Sequence, residues 1–534
     1  MALPLRPRPI ILLILLALAA ICPFCAQAQT TEESTGGRVA LVLPFDNRTG
    51  QPALDWVGES FADTLSQRLS SAGLFTISRD DRVYALDHLG LPTGFRPTRA
   101  TTIRIAQTLD AEFVVVGNYT LNSGRVSAQA QVVQVNKLQM SSPVQDSADL
   151  AHLLDLENGL AWQCARQIVP GFAVAQQTFV AASSGVRLDA YESYIRGITA
   201  TTDEERVQRL KSAVQLSPTY APALLALGKL QYTQRQFDSA ATTLAKVPEG
   251  DRLALEAGFY RGLARFNTAR YAEAEAAFAF VAARLPLPEV VNNQGVALAR
   301  QHKDGIPFLQ RASTADPQDA DYHFNLAVSL RRRVDTAAAL IQVDQALKLR
   351  PNDTEATQLR ASLSGAANGA AQPDAGFDPQ ERIRRTYSEA SFRQAAFQLD
   401  QIRNLHMATL PPAERAVQIS QIGQEYLAQG LVLEAEREFQ SALTVDPTSA
   451  TAHAGLAQVR ERSGDAAVAR QEAEKSIQIH PSVAAYLVLA RLDLQANQLS
   501  SSATNVRSAL QIEPNNGSAR GMRQALEMRG QKLP

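Results

Sequence analysis

The sequence predicts an α+β protein in which a small amino-terminal α/β domain is followed by an all-α solenoid of stacked helical hairpins. Over about the first third of the 534 residues, continuous apolar runs typical of buried strands alternate with apolar residues at helical spacing. Farther along, Gly, Ala and Pro recur at fixed offsets with a period of 33 to 34 residues. Aromatic residues make up only 6% of the chain and apolar residues 45%, which favours close-packed helices over a large β-sandwich.

The first 28 residues have the pattern of an export signal peptide. Arg6 and Arg8 precede an apolar stretch of twelve residues, Ile10–Ile21, and Ala26-Gln27-Ala28 supplies a small–x–small cleavage site. Twelve helical residues span about 18 Å, which is short of the roughly 30 Å hydrocarbon core of a bilayer. We therefore expect cleavage after Ala28 and an exported chain that is periplasmic or associated with the cell envelope.

Two of the three cysteines lie near the end of this segment and offer an alternative to simple cleavage. Residues 18–22 resemble a lipobox, in which Cys22 would carry a lipid, but Ile21 is bulky where that motif needs a small residue. Ordinary cleavage is favoured over anchoring at Cys22. The mature chain then keeps only Cys164, so no disulfide can form within it.

An α/β domain is predicted over residues 38–175. Its last predicted strand alternates apolar and polar residues, so we expect that strand to be half exposed. The predicted strands are Val39–Leu43, Phe75–Ser78, Phe113–Leu121 and Val126–Val135, and the predicted helices are Trp56–Leu69, Ile103–Leu109 and Asp149–Ile168.

Short motifs in this domain carry a family resemblance. Residues 42–47 (Val-Leu-Pro-Phe-Asp-Asn), followed by Trp56-Val57-Gly58 and then by 113–117 (Phe-Val-Val-Val-Gly), resemble the TolB amino-terminal-domain group. That group also includes envelope lipoproteins related to the curli-secretion pore. The resemblance covers about residues 38–140 and implies an envelope-associated module with no catalytic residues to carry over. The chain departs from the group in having an ordinary signal peptide rather than a clear lipobox.

The periodic part of the chain has eight units in register. In the best-formed unit, Gly423 is followed by Ala435, Phe439 and Pro447. Small residues are expected where the two helices of a hairpin cross, and Pro closes the second helix. This pattern resembles the tetratricopeptide-repeat family over about residues 188–516. The resemblance implies hairpins stacked into a solenoid that binds proteins or peptides.

A segment rich in Gly, Ala, Asn, Asp and Pro divides the periodic region. We predict a first block of about five units over 188–362 and a linker over 363–379. The remainder, 380–531, is predicted to hold a helical pair from Arg382 to His406, a second block of three units, and a capping helix at Gly517–Gln531.

Charge and motif content argue against several classes of function. Basic residues number 52 and acidic residues 53, which disfavours nucleic acid as the main partner. Nucleotide-binding glycine loops and zinc-protease motifs are absent from the sequence, and the seven His residues lack metal-ligand spacing. Gly58–Ala62 nearly matches a nucleophile elbow, but a loop precedes it, so Ser60 is expected to be exposed at a helix start. The sequence therefore predicts no cofactor, no metal and no catalytic residue.

The concave surface of the solenoid is the predicted site. Asn292 with Arg300 and Arg332 resembles an arrangement that holds a peptide carboxylate, so an acidic or carboxyl-terminal segment is the predicted ligand. A merely solvated arginine run at 331–333 is the alternative. Side chains of the first helices that point away from the packed seam are predicted to line this surface: Lys229, Tyr232, Phe259, Phe266, Asn292, Arg300, Arg331 and Arg332.

These features together predict an exported, non-catalytic scaffold or adaptor that acts in cell-envelope assembly or secretion by reversible protein binding. The alternative is an envelope enzyme with its active site between the α/β domain and the repeats. The absence of a paired acid/base or nucleophile constellation favours the adaptor. A cytoplasmic regulatory sensor would require that residues 1–28 not be an export signal.

Overall fold

The computed structural model describes residues 38–92, 98–183, 185–367, 377–385 and 402–533, without the side chains of 366–367. The predicted signal peptide, its cleavage site and Cys22 lie outside the described residues. Among the residues that are described, no helix combines the length and apolar character that crossing a membrane requires.

A mixed β-sheet forms the centre of the amino-terminal domain. Its strands are β1 (Val39–Val42), β2 (Asp46–Asn47), β3 (Phe75–Thr76), β4 (Phe113–Asn122), β5 (Arg125–Gln134), β6 (Gln139–Met140) and β7 (Val144–Asp149). Their order is β3-β1-β4-β5-β6, with β2 paired to β4 and β7 paired to β5. Strand β1 is parallel to β3 and β4, whereas β4 and β5 form an antiparallel hairpin.

Helices cover both faces of this sheet. Ala40 and Val42 face one hydrophobic core, and Leu41 and Leu43 face the other, which explains the continuous apolar run of β1. The helices Trp56–Ser71 and Leu153–Ile168 supply the first core, and Arg79–His88 and Arg99–Thr108 supply the second.

The predicted helix from about Asp149 to Ile168 is confirmed, with a 3-10 turn over Leu150–His152 ahead of its α-helical part, but the strand before it was not predicted. Residues Val144–Asp149 form β7, which pairs antiparallel with β5, and the α-helix begins at Leu153. Most side chains of β7 are polar and partly exposed, so the strand has no apolar alternation that sequence could show. Its conformation is set by the backbone of β5.

Eight antiparallel helix pairs follow within the described residues, five before residue 350 and three after residue 411. The short helix Gln176–Ala181 precedes them, Thr354–Ala367 follows the fifth pair, residues 402–408 are helical, and Gly517–Met528 caps the array. The pairs are Leu188–Thr199 with Asp203–Leu216 (repeat 1), Ala221–Thr233 with Phe237–Leu244 (repeat 2), Ala254–Asn267 with Tyr271–Arg284 (repeat 3), Pro288–Arg300 with Ile306–Ala315 (repeat 4), Ala320–Arg332 with Thr336–Leu349 (repeat 5), Pro412–Ala428 with Val432–Val445 (repeat 6), Ala450–Arg462 with Ala466–Ile479 (repeat 7) and Val483–Gln495 with Leu499–Ile512 (repeat 8).

Small residues mark the crossing of the two helices in each pair, as the period predicts. A Cβ added at Gly262 would lie 2.6 Å from the ring of Phe278, and one added at Gly423 would lie 2.6 Å from the ring of Phe439. In repeat 5, Ala327 takes the crossing position and is fully buried. Only a residue with little or no side chain lets these helices approach so closely.

Repeat 6 packs against the amino-terminal domain. Leu433 belongs to the same hydrophobic core as the helix Trp56–Ser71. The carboxylate of Glu436 accepts hydrogen bonds from Thr178 Oγ1 and from the backbone N–H of Ala175, the latter at 3.0 Å. Arg460 of repeat 7 also donates to Glu436. The second block is therefore held to the first part of the chain by the hydrogen bonds that Glu436 accepts and by the apolar contact of Leu433.

Candidate peptide-binding groove

The first helices of repeats 4 and 5 lie side by side and line a groove that holds another part of the chain. Both helices begin with residues that favour a helix start. Pro288 is at the first position of one helix, and the side chain of Asp319 caps the other. The segment Phe377–Arg385 lies in the groove without helical structure. The helical pair predicted to begin at Arg382 is thus wrong for Arg382–Arg385, and residues 386–401 lie outside the described residues.

Two asparagines bind the backbone of this segment. Asn325 donates to the carbonyl of Arg382 at 2.7 Å and accepts from its N–H at 2.6 Å. Asn293 makes the same pair of bonds to the backbone of Arg384, both at 2.8 Å. Each asparagine lies two residues before the small crossing residue of its helix, Gly295 or Ala327. Equivalent residues in neighbouring repeats therefore recognise alternate residues of an extended chain.

Asn292 links these two clamps. Its side chain accepts from Asn325 Nδ2 at 2.8 Å and donates to the carbonyl of Arg382 at 3.3 Å. Asn292, Asn293 and Asn325 are all fully buried. Buried amides need hydrogen-bond partners, and the partner that these three share is the segment's backbone.

A cationic pocket surrounds the buried side chain of Glu381. Arg332 donates to its carboxylate at 2.6 Å, and Ser329 donates at 3.0 Å. Arg300 occupies the equivalent position to Arg332 in repeat 4 and donates to the backbone carbonyl of Glu381 at 3.0 Å. Arg331 donates to the carbonyl of Phe377 at 3.2 Å. This half of the groove recognises an acidic side chain and its flanking carbonyls.

An anionic wall lies beside the cationic pocket. Arg382 donates to both carboxylate oxygens of Asp353, at 2.6 and 2.9 Å, and to Asp321 at 2.9 Å. Its guanidinium also lies 3.8 Å from the ring centroid of Phe324, a cation–π contact. The hydrogen bond from Arg382 holds the pKa of the Asp353 carboxyl below its ordinary value. The wall thus favours a basic side chain at this position.

The next two residues of the segment point in alternate directions. Arg384 forms ion pairs with Asp319 and Asp321 and lies over the ring of Tyr322. Ile383 packs instead against the apolar cluster of repeat 3. Acidic, basic, apolar and basic side chains therefore each meet a surface of matching chemistry.

Four of the eight predicted groove residues, Asn292, Arg300, Arg331 and Arg332, contact this segment directly. The ring of Phe266 lies beneath the Arg300 guanidinium, 5.9 Å from centroid to Cζ.

The other predicted residues lie towards repeats 2 and 3. Phe259 is fully buried in the apolar cluster against which Ile383 packs. Lys229 pairs with Glu256 at 2.8 Å, and Tyr232 packs against Tyr260. These contacts tie repeats 2 and 3 together.

Sequence reasoning missed the residues that bind the backbone and those that form the anionic wall. Asn293 and Asn325 were detectable, since both stand two residues before a crossing position that the repeat pattern had identified. Glu355 also accepts a hydrogen bond from Arg382, at 2.9 Å. The role of Asp353 and Glu355 could not be found in this way, because they lie at the start of the helix Thr354–Ala367, which follows the last unit of the first block.

The junction between the α/β domain and the repeats, where an enzyme site was the alternative, contains a cavity of about 280 Å³ lined in part by Arg68, Tyr191 and Arg252. Beside it, the prediction that Ser60 is exposed is wrong: Ser60 is buried and donates to the Glu157 carboxyl. Burial raises the pKa of Glu157 to about 8.

Thr64 also donates to Glu157, at 2.6 Å, and contacts the Tyr191 hydroxyl at 2.8 Å. This cluster joins three helices. Among the described residues, no group of three or more His, Cys, Asp or Glu side chains is placed to hold a metal ion.

Comparison with known proteins supports the repeat assignment. Residues 292–354 and 421–484 match one tetratricopeptide-repeat family model, and residues 207–257 match another. No curated protein matches the chain.

Among solved structures, MamA from Desulfovibrio magneticus is similar at 21% identity over 32% of this chain and 100% of that chain, with a TM-score of 0.29. YrrB, described as a tetratricopeptide-repeat protein with an unusual peptide-binding site, is similar at 14% identity over 46% and 96%, with a TM-score of 0.26. The LpoB carboxyl-terminal domain from Salmonella enterica is similar at 22% identity over 21% and 83%, with a TM-score of 0.19.

The matched segments fall in repeats 1–2, 4–5 and 6–7. No enzyme family is indicated. The helical array is therefore built of tetratricopeptide repeats, which typically mediate protein–protein interaction.

Proposed function

We propose that this chain is an exported, non-catalytic adaptor of the cell envelope that binds an extended segment of another protein in the groove of repeats 4 and 5. The observation that carries the proposal is the pair of asparagine clamps. Asn293 and Asn325 together make four hydrogen bonds to a backbone, each worth about 0.5–1.5 kcal/mol net. Such bonds recognise any extended peptide and supply reversible binding without chemistry.

The export part of the proposal rests on the sequence. Residues 1–28 combine a basic start, an apolar stretch and an Ala-x-Ala site. The resemblance of residues 38–140 to the TolB amino-terminal-domain group supports an envelope location and a docking role for the α/β domain. Cleavage after Ala28 would leave the groove and the α/β domain in one mature chain.

Two measurements test the proposal. Amino-terminal sequencing of the exported protein should begin at Gln29, whereas a lipid-modified Cys22 would place the chain on a membrane surface and a start at Met1 would contradict export. Affinity capture from the chain's own envelope fraction should recover a partner that Asn293→Ala with Asn325→Ala loses. Asn505→Ala, which removes an asparagine of repeat 8, is the matched control and should retain that partner. Retention by both variants would move the binding surface away from the groove.

A further inference from the structure

The groove contacts the side chains of the segment as well as its backbone, and its walls accept an acidic and a basic side chain in a fixed order. Glu381 meets Arg332 and Ser329, whereas Arg382 meets Asp353 and Asp321 on the opposite wall. Reversing the order of these charges would place like charges against each wall. A ligand of this groove is therefore selected for an acidic residue followed at once by a basic one.

The segment Phe377–Arg385 is held in the groove by the kinds of contact that are found at a protein–protein interface. Its contacts are mainly hydrogen bonds and ion pairs, with Phe377 and Ile383 packing against apolar clusters from outside. Nine residues, 368–376, separate it from the helix Thr354–Ala367, and sixteen, 386–401, separate it from helical residues 402–408.

We propose that Phe377–Arg385 is a built-in competitor of the partner, and that the partner presents an extended segment with acidic, basic, apolar and basic side chains in that order. The proposal rests on the proposed function, because it names the ligand of the same groove. It replaces the acidic or carboxyl-terminal peptide expected from sequence with an internal segment of mixed charge. The groove binds this segment in the resting chain and exchanges it for the partner's.

Tethering makes this competition strong. A segment that belongs to the same chain as its groove can be present there at an effective concentration in the millimolar range. If it fills the groove in about 90% of molecules, the apparent affinity for an external peptide falls about tenfold. Weakening the segment's own contacts should therefore strengthen binding of an added peptide.

The test uses a fluorescent synthetic peptide with the sequence of residues 377–385, and fluorescence anisotropy against the mature chain. In the released variant, Arg382→Glu with Arg384→Glu, the segment carries acids against Asp353, Asp321 and Asp319, while the groove keeps its own residues. We expect this variant to bind the peptide up to about tenfold more tightly than the parent. Glu381→Lys, which opposes the cationic pocket, is a second released variant and should show the same direction of change.

Three controls separate groove binding from general charge effects. Arg520→Glu with Arg523→Glu makes the same double charge reversal on the capping helix and should bind like the parent. Adding Asn293→Ala and Asn325→Ala to the released variant should abolish binding. A peptide of the same composition in which Glu381 and Arg382 exchange places should bind at least tenfold more weakly.

Other results would overturn the inference in distinguishable ways. If parent and both released variants bind the peptide equally, the segment does not compete, although the groove still binds peptides. If folded parent and released variants all fail to bind while partner capture still requires Asn293 and Asn325, the ligand order is wrong and the proposed function stands. If capture does not depend on these asparagines, the proposed function fails as well.

Discussion

The helix crossing in repeat 6 allows a sharp test of the packing. A Cβ added at Gly423 would lie 2.6 Å from Phe439 Cε1 and 2.9 Å from Cδ1 and Cζ. The ring cannot move aside, because a Cβ added at Gly455 of repeat 7 would overlap the same ring. Phe439 is fully buried between the two glycines. We therefore expect Gly423→Ala to destabilise the protein even though alanine is the better helix former.

The expected change in the free energy of unfolding follows from two opposing effects. Replacing Gly by Ala inside a helix stabilises by about 0.5–1 kcal/mol, and overpacking a closed core costs about 1–3 kcal/mol. Gly521→Ala is the matched control, because a Cβ there would meet no atom within 4 Å on the exposed face of the capping helix. Since both variants gain the same helical preference, their difference in unfolding free energy isolates the overpacking, about 1–3 kcal/mol. Gly423→Leu should lose more stability than Gly423→Ala.

The assay is urea unfolding followed by circular dichroism, with hydrogen exchange to locate the change. Exchange is needed because repeat arrays can unfold in parts rather than in one step. Gly423→Ala should speed exchange in repeats 6 and 7, and combining it with Phe439→Leu should restore part of the lost stability relative to Phe439→Leu alone. Equal effects of Gly423→Ala and Gly521→Ala would refute the crossing geometry.

Three further predictions concern buried polar groups. Burial raises the pKa of Glu157 from 4.5 to about 8, so the folded state holds a proton that the unfolded chain releases, and stability falls as pH rises through that interval. Glu157→Gln should remove this slope, up to about 1.4 kcal/mol per pH unit, from thermal unfolding curves, and an unchanged slope would contradict the assignment. Glu436→Ala leaves Arg460 buried without its anionic partner and should cost about 3–5 kcal/mol in urea unfolding, against less than about 1 kcal/mol for Glu438→Ala, whose ion pair with its neighbour is only partly buried. Burial raises the pKa of Cys164 to about 12, so a thiol reagent should modify it only as fast as the protein unfolds, and rapid labelling of the native chain would show that the core is open.

Local patterns sufficed for the parts of the fold that local packing decides. The β4–β5 hairpin follows from apolar runs around a turn at Ser123 and Gly124, and both of those residues have positive φ. The helix pairs of the described residues lie where the period predicts them, because Gly, Ala and Pro mark the crossings and the helix ends.

Long-range partners decided the parts that could not be predicted. Residues 381–385, Glu-Arg-Ile-Arg-Arg, suit a helix by propensity, yet the backbone of Arg382 and Arg384 is fixed by Asn325 and Asn293 from distant repeats. Ser60 was expected to be exposed because its neighbours suggested a helix start. Instead Ser60 is buried and donates to Glu157, 97 residues later in the chain.

The direction of the bound segment connects the groove to the rest of the fold. Repeat 5 binds Arg382 and repeat 4 binds Arg384, so the chain crosses the groove in the opposite sense to the order of the repeats. Glu436 and Arg437 of repeat 6 bond to Ala175 and Ser71 of the first part of the chain. Since the second block has these anchors of its own, it does not depend on the segment to stay in place. Release of the groove can therefore be a local event, and the same chain can exchange a ligand in repeats 4 and 5 while its remaining contacts stay intact.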